Sequence, residues 1–359
     1  MSTLRAILAD LVHFAVPKQE AEMRLAELEE LTRTYGGLAV VKTIQRRAKP
    51  DYETFLGRGK VEELVNTAPE HRADVLVVNE ILKPGQLFNL EEKLRPAKIK
   101  VWDRIDLILH IFDKHATSAE AKLQIDLARL RHMGPRIFNL GEKLGRQRGG
   151  TGTRGGAGEG NTEAMKRHLR EQERSIVKKL SAYEGQHAEQ RKSRERKRFK
   201  TVAIVGYTNA GKTSLLNALT RRREYVANKL FATLDTRLGE LFVPEAREKI
   251  LLADTIGFID GLPPQLVQAF RSTLSEAIHA DILLQVADAS DPKLAEKMRV
   301  VDKVLADLGI AETPRVIAYS KADLLDDPVG LKENELYVSS LSGAGLIDLR
   351  NLLVKLLSA

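Results

Sequence analysis

The sequence predicts an α/β protein in three parts: a small N-terminal α/β domain over residues 1–115, a helical arm over 116–198, and a second α/β domain over 199–359. Short β-branched runs alternate with amphipathic helix patterns in the first and last parts, which indicates parallel sheets covered by helices. Between them, two helix patterns flank a glycine-rich segment, as in a helical hairpin or coiled-coil arm. The last part opens with a strand, a glycine-rich loop and a helix in direct succession.

The elements of the N-terminal part follow from apolar periodicity. Residues 38–41 and 75–79 are short apolar runs and predict buried parallel strands. Residues 20–35 and 60–67 repeat apolar positions with the period of a helix, so we predict amphipathic helices there. Strands and helices that alternate in this way define a small α/β domain.

The arm is predicted from helix patterns at residues 119–133 and 162–198. The segment at 145–160 is rich in Gly, Arg and Thr and holds too little apolar surface to order itself. Guanidinium groups among glycines suit phosphate and base contacts in RNA, and the alternative is a solvated linker. The candidate RNA-binding residues are Lys143, Arg146, Arg148 and Arg154. The basic run at 191–198 is more typical of a solvated helix face than of a nucleic-acid contact.

Composition narrows the class of protein. The chain has 359 residues, no cysteine, and 57 Lys+Arg against 49 Asp+Glu, a formal net charge of +8, with a pI near 9.4. The lack of cysteine excludes disulfides and thiolate metal sites. The basic excess is compatible with a nucleic-acid partner. No apolar run has the length of a membrane span, and residues 1–5 lack the apolar stretch of a signal peptide, so we expect a cytoplasmic protein.

The segment at 206–213 reads GYTNAGKT and matches the phosphate-loop pattern GxxxxGK[ST]. It follows the predicted strand at 199–205 and precedes a helix pattern, so loop N–H groups and a helix N-terminus would converge on a phosphate. Lys212 would reach the β- and γ-phosphates, and the Thr213 hydroxyl would hold Mg²⁺. The alternative is a chance glycine-rich turn. The predicted contacts are Gly206, Tyr207, Thr208, Asn209, Ala210, Gly211, Lys212 and Thr213.

Two downstream segments complete the predicted phosphate and magnesium site. Asp254 follows the predicted strand at 250–253, where it can hold the magnesium shell, and the Gly257 N–H can sense a γ-phosphate. Between loop and strand, the Thr233 hydroxyl is the candidate that completes magnesium coordination when the γ-phosphate is present, with Thr236 as the runner-up. The predicted contacts here are Phe231, Ala232, Thr233, Leu234, Asp235, Asp254, Thr255, Ile256 and Gly257.

The base is predicted to be guanine. Asp323, after the predicted strand that ends near Ser320, can accept two N–H bonds from guanine, a donor pair that adenine lacks. Lys321 would pack its stem over the base, and backbone N–H groups at 338–340 would meet guanine O6. The predicted contacts are Ser320, Lys321, Ala322, Asp323, Val338, Ser339 and Ser340. Motifs in this order at strand ends predict a Ras-like GTPase domain that requires Mg²⁺.

The candidate catalytic residues are Lys212, Thr233, Gly257 and Asn209. Phe258 stands where Ras-like proteins carry the glutamine that orients the attacking water, so we expect slow intrinsic hydrolysis. Asn209 offers a side-chain oxygen near the phosphates. In GTPases of similar loop sequence this asparagine helps bind K⁺, which replaces an arginine finger. The alternative for Asn209 is a hydrogen bond that shapes the loop.

Over nearly its whole length the chain resembles the HflX family of ribosome-associated GTPases. The resemblance rests on TFLGRGKVEEL at 54–64, DRIDLILHIF at 103–112, EAKLQI at 120–125, GTRG at 152–155, and the GTPase motifs at 206–212, 231–235 and 254–258. It implies a GTPase that binds the large ribosomal subunit through ribosomal RNA and splits stalled or hibernating ribosomes. It also implies that the N-terminal domain and arm approach the peptidyl-transferase region, and that the ribosome activates hydrolysis.

Several residues depart from the family pattern. Ser320 replaces the usual asparagine, and we expect the shorter side chain to lose contacts to the base and the phosphate loop. Ser340 replaces alanine, and residues 155–158 read GGAG where Gly-Pro-Gly is typical. The chain stops after the predicted helix at 346–357, whereas many members continue into a small C-terminal domain.

Two other functions stay open at this point. One is a nucleotide-gated protein that binds RNA or ribosomes, with incidental hydrolysis. The other is an ATP-dependent RNA remodeller, in which the loop at 57–60, Gly-Arg-Gly-Lys, meets a phosphate. For all three we expect a monomer in the cytoplasm, associated with ribosomes or a membrane surface, and without a membrane span.

Overall fold

The computed structural model describes residues 3–147, 157–220, 237–241, 249–260, 266, 270, 274–325 and 330–358. Within 135–147 and 157–162 it describes the backbone alone. The chain divides into two compact units: Met1–Lys114 with Ile125–Lys178, and His115–Gln124 with Lys179–Ala359. No helix in the described parts of the chain is long and apolar enough to cross a membrane.

The first unit contains a parallel sheet with strand order β2-β1-β3-β4. Its elements are β1 (Leu4–Val12), α1 (Lys18–Tyr35), β2 (Gly37–Arg46), α2 (Arg58–Glu70), β3 (Val75–Val78), α3 (Pro84–Leu94), β4 (Lys100–Asp103) and α4 (Arg104–His115). Each strand leads into a helix, and β1, β3 and β4 bury an apolar core together with α2 and α3. Strands are added first on one side of β1 and then on the other, so the topological switch point lies between β1 and β3.

The predicted N-terminal elements are confirmed with two differences. The strand at 75–78 is fully buried, but β2 is an edge strand and Leu38 is 51% exposed, so the prediction of a buried strand at 38–41 is wrong in its burial. The central strand β1 was not predicted. Its apolar run is interrupted by Arg5 and Asp10, and the Asp10 carboxylate is buried because Arg24 donates to it at 3.0 Å.

The arm consists of two long helices, as predicted. α5 spans Ala119–Gln147 and α6 spans Ala157–Arg196, so both are longer than the sequence pattern indicated. Ion pairs join them: Arg131 to Glu173 at 2.8 Å, and His187 to Glu120 at 2.9 Å.

The second unit contains a six-stranded sheet with order β10-β9-β8-β5-β7-β6, in which β6 runs antiparallel to β7 and the other pairs are parallel. Its described elements are β5 (Phe199–Gly206), α7 (Lys212–Thr220), β6 (Arg237–Leu241), β7 (Lys249–Asp254), α8 (Ser275–Ile278), β8 (Ile282–Asp288), α9 (Leu294–Asp307), β9 (Arg315–Ser320), β10 (Glu335–Tyr337) and α10 (Leu346–Leu357). The predicted helix at 346–357 is confirmed. The switch point lies between β5 and β8, and the phosphate-loop pattern begins at the carboxyl end of β5.

Candidate nucleotide site

The path of the phosphate loop is fixed by backbone conformations that few residues adopt. Gly206 has φ +151°, and a Cβ there would lie 2.3 Å from the Val286 carbonyl oxygen of the neighbouring strand β8. Gly211 and Asn209 have φ +89° and +62°. Glycine and, less often, asparagine tolerate the left-handed region. The loop therefore needs the residues that the pattern places there.

Lys212 lies inside the loop at the start of α7. Its ammonium donates to the carbonyl oxygens of Tyr207 at 2.8 Å and Gly206 at 3.2 Å, and the residue is 7% exposed. Burial lowers the pKa of Lys212 to about 8, and the charge of Asp254 opposes that shift. A buried cation held by carbonyl oxygens is poised to meet an anion at the loop.

The two predicted metal ligands of the described chain are brought together. The Thr213 hydroxyl donates to Asp254 Oδ2 at 2.7 Å, because β5 and β7 are parallel neighbours and Ile204 is level with Asp254. Asp254 is fully buried. A hydroxyl and a carboxylate oxygen are the hard donors that Mg²⁺ prefers, so these residues fit the ion.

The segment after Asp254 brackets the loop through its backbone. The Phe258 N–H donates to the Gly206 carbonyl at 3.0 Å, and the Phe258 carbonyl accepts from the Thr208 N–H at 2.7 Å. A Cβ on Gly257 would come within 2.9 Å of both Lys212 Nζ and Thr208, so glycine is required for this approach. The Phe258 ring is 1% exposed and belongs to the core.

Ser320 corrects one expectation. We expected serine to lose the contact with the phosphate loop, but its hydroxyl donates to the Ala210 carbonyl at 2.7 Å and lies 3.2 Å from the Ala287 carbonyl. The parallel pairing of β8 and β9 places Ser320 beside the loop, close enough for a short side chain to reach it. The link between base motif and loop is therefore kept without asparagine.

The remaining base residues occupy adjacent loops. Lys321 has φ +56°, and its ammonium lies 2.6 Å from Asp288 Oδ2 at the end of β8. Asp323 is exposed in a short 3₁₀ turn. The Ala322 N–H donates to the Val338 carbonyl at 3.1 Å, which joins the two base motifs.

The last base loop is stiffened by its own side chain. Ser339 is fully buried, and its hydroxyl oxygen accepts from the N–H groups of Leu341 and Ser342 at 3.2 and 3.1 Å. Ser340 follows it in the same loop and is half-buried.

Some predicted residues lie where the structure gives no description. Phe231, Ala232, Thr233, Leu234, Asp235 and Thr236 are outside the described residues, as are Arg148 and Arg154. For Lys143 and Arg146 only the helical backbone of α5 is described. Their predicted roles stay predictions.

Three contacts were not anticipated. The first is the ion pair of Lys321 with Asp288. Asp288 ends the buried strand β8, as Asp254 ends β7, but no sequence motif marks it. The Tyr207 hydroxyl accepts from the Asp260 N–H at 3.0 Å, which ties the loop to the segment after Gly257. At the end of α6, Arg194 donates to both oxygens of Glu276 in α8, at 2.7 and 2.9 Å. No local pattern marks a pair 82 residues apart.

The loop at 57–60 in the first unit has a different character. The Gly57 N–H donates to Gln45 Oε1 at 2.8 Å, and Arg58 and Lys60 pair with Glu62 and Glu63 of their own helix α2. Whether it meets a phosphate stays a prediction.

Comparison with known proteins agrees with this geometry. Family models described as GTP-binding GTPase N-terminal, GTP-binding GTPase Middle Region and 50S ribosome-binding GTPase match residues 22–113, 115–194 and 201–321. The chain is 43% identical to GTPase HflX of Caldanaerobacter subterraneus subsp. tengcongensis, over 95% of this chain and 78% of that protein. It is 38% identical to GTPase HflX of Escherichia coli, over 98% and 83%.

Among solved structures, the chain is similar to a GTP-binding protein from Sulfolobus solfataricus in complex with GDP, with 25% identity, a TM-score of 0.51 and coverage of 99% of both chains. The fold, the phosphate loop and these matches define a P-loop GTPase of the ribosome-binding class. The chain belongs to the HflX family of GTPases.

Proposed function

We propose that this GTPase binds the large ribosomal subunit and uses GTP to split or recycle stalled or hibernating ribosomes, with hydrolysis activated by the ribosome. The match of residues 201–321 to the 50S ribosome-binding GTPase family carries the proposal. Ribosomal RNA is the main partner in this proposal, contacted at the arm tip by Lys143, Arg146, Arg148 and Arg154.

The phosphate loop holds the β- and γ-phosphates in this proposal. Loop N–H groups and the Lys212 ammonium neutralise the phosphate oxygens, and the Gly257 N–H senses the γ-phosphate. Thr213, Asp254 and Thr233 would hold Mg²⁺, which when bound spreads the charge that develops on the transferred phosphoryl group. The 2.7 Å contact between Thr213 and Asp254 supports the first two of these ligands.

Guanine is read by the loops after β9 and β10. Asp323 accepts from the two guanine N–H groups, and its carboxylate is exposed toward solvent where a ligand can reach it. Lys321 packs along the base, and N–H groups at 338–340 donate to O6. The bond between Ala322 and Val338 supports a shared position for the two loops.

Hydrolysis depends on a group other than Phe258 to position water. The ring is buried in the core and carries no polar atom, so intrinsic hydrolysis is slow. We propose that Asn209, with its left-handed backbone at the loop, contributes a ligand to K⁺ and that the ribosome completes the site.

The test is GTP and ATP turnover with and without large ribosomal subunits, in potassium and then in sodium. We expect a slow basal GTPase that the subunits stimulate many-fold, with the stimulation lost in sodium. Lys212→Ala is expected to reduce turnover at least about 100-fold, because it removes a cation that stabilises the transition state. Binding of subunits without any stimulation would contradict ribosome activation.

A second function is favoured by the burial of Phe258: a nucleotide-gated protein that binds ribosomes and hydrolyses GTP only incidentally. Ribosome splitting by the GTP-bound and the non-hydrolysable-analogue-bound protein distinguishes the two. Equal splitting with the analogue would show that binding, and not hydrolysis, separates the ribosomal subunits.

ATP turnover that survives Lys212→Ala would instead indicate a nucleotide site in the N-terminal domain.

A further inference from the structure

Two carboxylates converge at the junction of β4 and α4, far in sequence from the nucleotide motifs. Asp103 Oδ1 accepts from the Asp106 N–H at 2.9 Å, and Asp106 Oδ2 accepts from the Asp103 N–H at 3.1 Å. This reciprocal cap begins helix α4. The other Asp103 oxygen accepts from the Leu82 N–H at 3.2 Å. Backbone bonds therefore hold both carboxylates in fixed orientations.

A histidine from α5 faces both carboxylates. His132 Nε2 lies 3.2 Å from Asp103 Oδ1 and 3.5 Å from Asp106 Oδ1. The side chains are 0%, 11% and 13% exposed for Asp103, Asp106 and His132, and all three residues belong to the same compact unit. One nitrogen and two carboxylate oxygens thus meet in a sheltered place.

The 3.2 Å contact of His132 with Asp103 is a long hydrogen bond, and the two distances to His132 Nε2 also fit neighbouring ligand atoms of a metal ion. A charge-assisted N–H···O bond is about 2.7–2.9 Å long, and the His187–Glu120 pair of this chain is 2.9 Å. Ligand bonds of about 2.0 Å to a tetrahedral Zn²⁺ place neighbouring ligand atoms about 3.3 Å apart. The observed 3.2 and 3.5 Å lie on either side of that value.

The donor types point to the same class of ion. Imidazole nitrogen favours Zn²⁺ and neighbouring first-row metals over Mg²⁺, which prefers oxygen and keeps its water. Two carboxylates with a neutral imidazole offer two negative charges to a dication. Among the described residues, Asp103, Asp106 and His132 form the one group of three His or acidic side chains whose ligand atoms all lie within 4.8 Å of one another. The chain has no cysteine that competes for zinc.

A cavity reaches one of the three side chains. Asp106 also lines a cavity of about 560 Å³ whose wall includes Trp102, His110 and Met133. A cation can approach through this cavity, and a water or a small ligand in it can take a fourth coordination position.

We propose that Asp103, Asp106 and His132 form a three-ligand site for a divalent first-row transition cation of the zinc class. The cation fastens α5 to the junction of β4 and α4. None of these three residues belongs to the nucleotide site. The cation therefore binds to them with or without GTP.

The test uses the untagged full chain, stripped with a chelator and kept free of nucleotide and Mg²⁺. Calorimetric titration with Zn²⁺ is expected to show one equivalent bound per chain, and Co²⁺ is expected to give the visible absorption of a tetrahedral complex. His132→Gln and Asp106→Asn are expected to weaken Zn²⁺ binding at least about 100-fold. His187→Gln, a histidine paired with one carboxylate, is the matched control and is expected to bind as the wild type.

Thermal unfolding distinguishes a metal site from a hydrogen bond that only stabilises the fold. Zn²⁺ is expected to raise the melting temperature of the wild type and of His187→Gln, and to leave that of His132→Gln unchanged. Circular dichroism identifies any variant that fails to fold, and Asp106→Asn keeps an acceptor for the helix cap. No stoichiometric binding, or equal binding by His132→Gln, would overturn the proposal. The proposal would also be overturned if the wild type binds no Zn²⁺ and the His132→Gln variant is less stable than the wild type at low pH. That result would assign the cluster to an ion pair between protonated His132 and the carboxylates.

Discussion

Both sheets of this chain have a topological switch point, where a crevice opens at the carboxyl ends of the strands. The residues that occupy the two crevices differ in kind. At the carboxyl ends of β1 and β3, Asn79 donates to Asp10 at 3.0 Å, and Arg104 donates to Asn79 at 2.8 Å and to Glu27 at 2.9 Å. At the carboxyl ends of β5 and β8 the chain instead places glycines and a lysine whose ammonium rests on carbonyl oxygens.

In both units the sheet topology provides a crevice, and the side chains around it decide its use. In the first unit, polar side chains satisfy one another and occupy the crevice. In the second, the backbone approaches too closely for side chains, and Lys212 is held with a lowered pKa. The crevice of the second unit therefore holds a buried cation on carbonyl oxygens, which is the arrangement that suits an anionic ligand.

The largest effect is expected at Gly206, which ends β5, in contrast to Gly59 in the first turn of α2. Gly206→Ala should destabilise the protein by about 3 kcal/mol or more, because its Cβ would lie 2.3 Å from a strand carbonyl at φ +151°. Gly59→Ala, with open space around its Cβ, should stabilise α2 by up to about 1 kcal/mol. Urea unfolding measures both. Similar losses in both variants would remove the distinction between the two loops.

The next largest effect is expected in the crevice of the first unit, which polar side chains occupy. Asp10→Ala should cost about 2–3 kcal/mol of unfolding free energy, because it removes the acceptor of Arg24 and Asn79 from a buried position. GTP affinity should not change. Glu22→Ala, which breaks an exposed ion pair with Lys18, is the control and should cost less than about 0.5 kcal/mol. A weakened GTP affinity in Asp10→Ala would show that the polar crevice of the first unit contributes to nucleotide binding.

The open crevice predicts a dependence on pH. The pKa of Lys212 is about 8 in the folded chain and 10.5 in its ordinary state, so between these values the unfolded chain binds more protons. Stability from this group therefore rises as pH increases above 8. The stability of nucleotide-free wild type relative to Lys212→Met should rise by about 2 kcal/mol between about pH 7.5 and 9.5. A constant difference would mean that the ammonium is not desolvated.

The smallest effect is expected at Ser320. Ser320→Ala removes the bond to the Ala210 carbonyl and should cost about 1 kcal/mol, with GTP affinity reduced several-fold. Ser342→Ala, in an exposed loop, serves as the control. Unfolding and fluorescent-nucleotide titrations measure the two quantities. Unchanged affinity would show that the loop does not depend on this hydroxyl.

Local patterns predicted the loop, the strand-end Asp254 and the base loops, because each depends on residues close in sequence. They did not reveal the hydroxyl bond of Ser320, which crosses 110 residues, or the pairing of Arg194 with Glu276. Strand β1 was missed for the same reason. Asp10 looks like a break in an apolar run until its partners, Arg24 on α1 and Asn79 just after β3, are known.

The pairing of Arg194 with Glu276 has a mechanical consequence. α6 has 40 residues, so as one helix it is about 60 Å long, and Arg194 lies near its end. Glu276 belongs to α8, which follows the segment after Gly257. The ion pair therefore holds the carboxyl end of α6 against α8 within one compact unit.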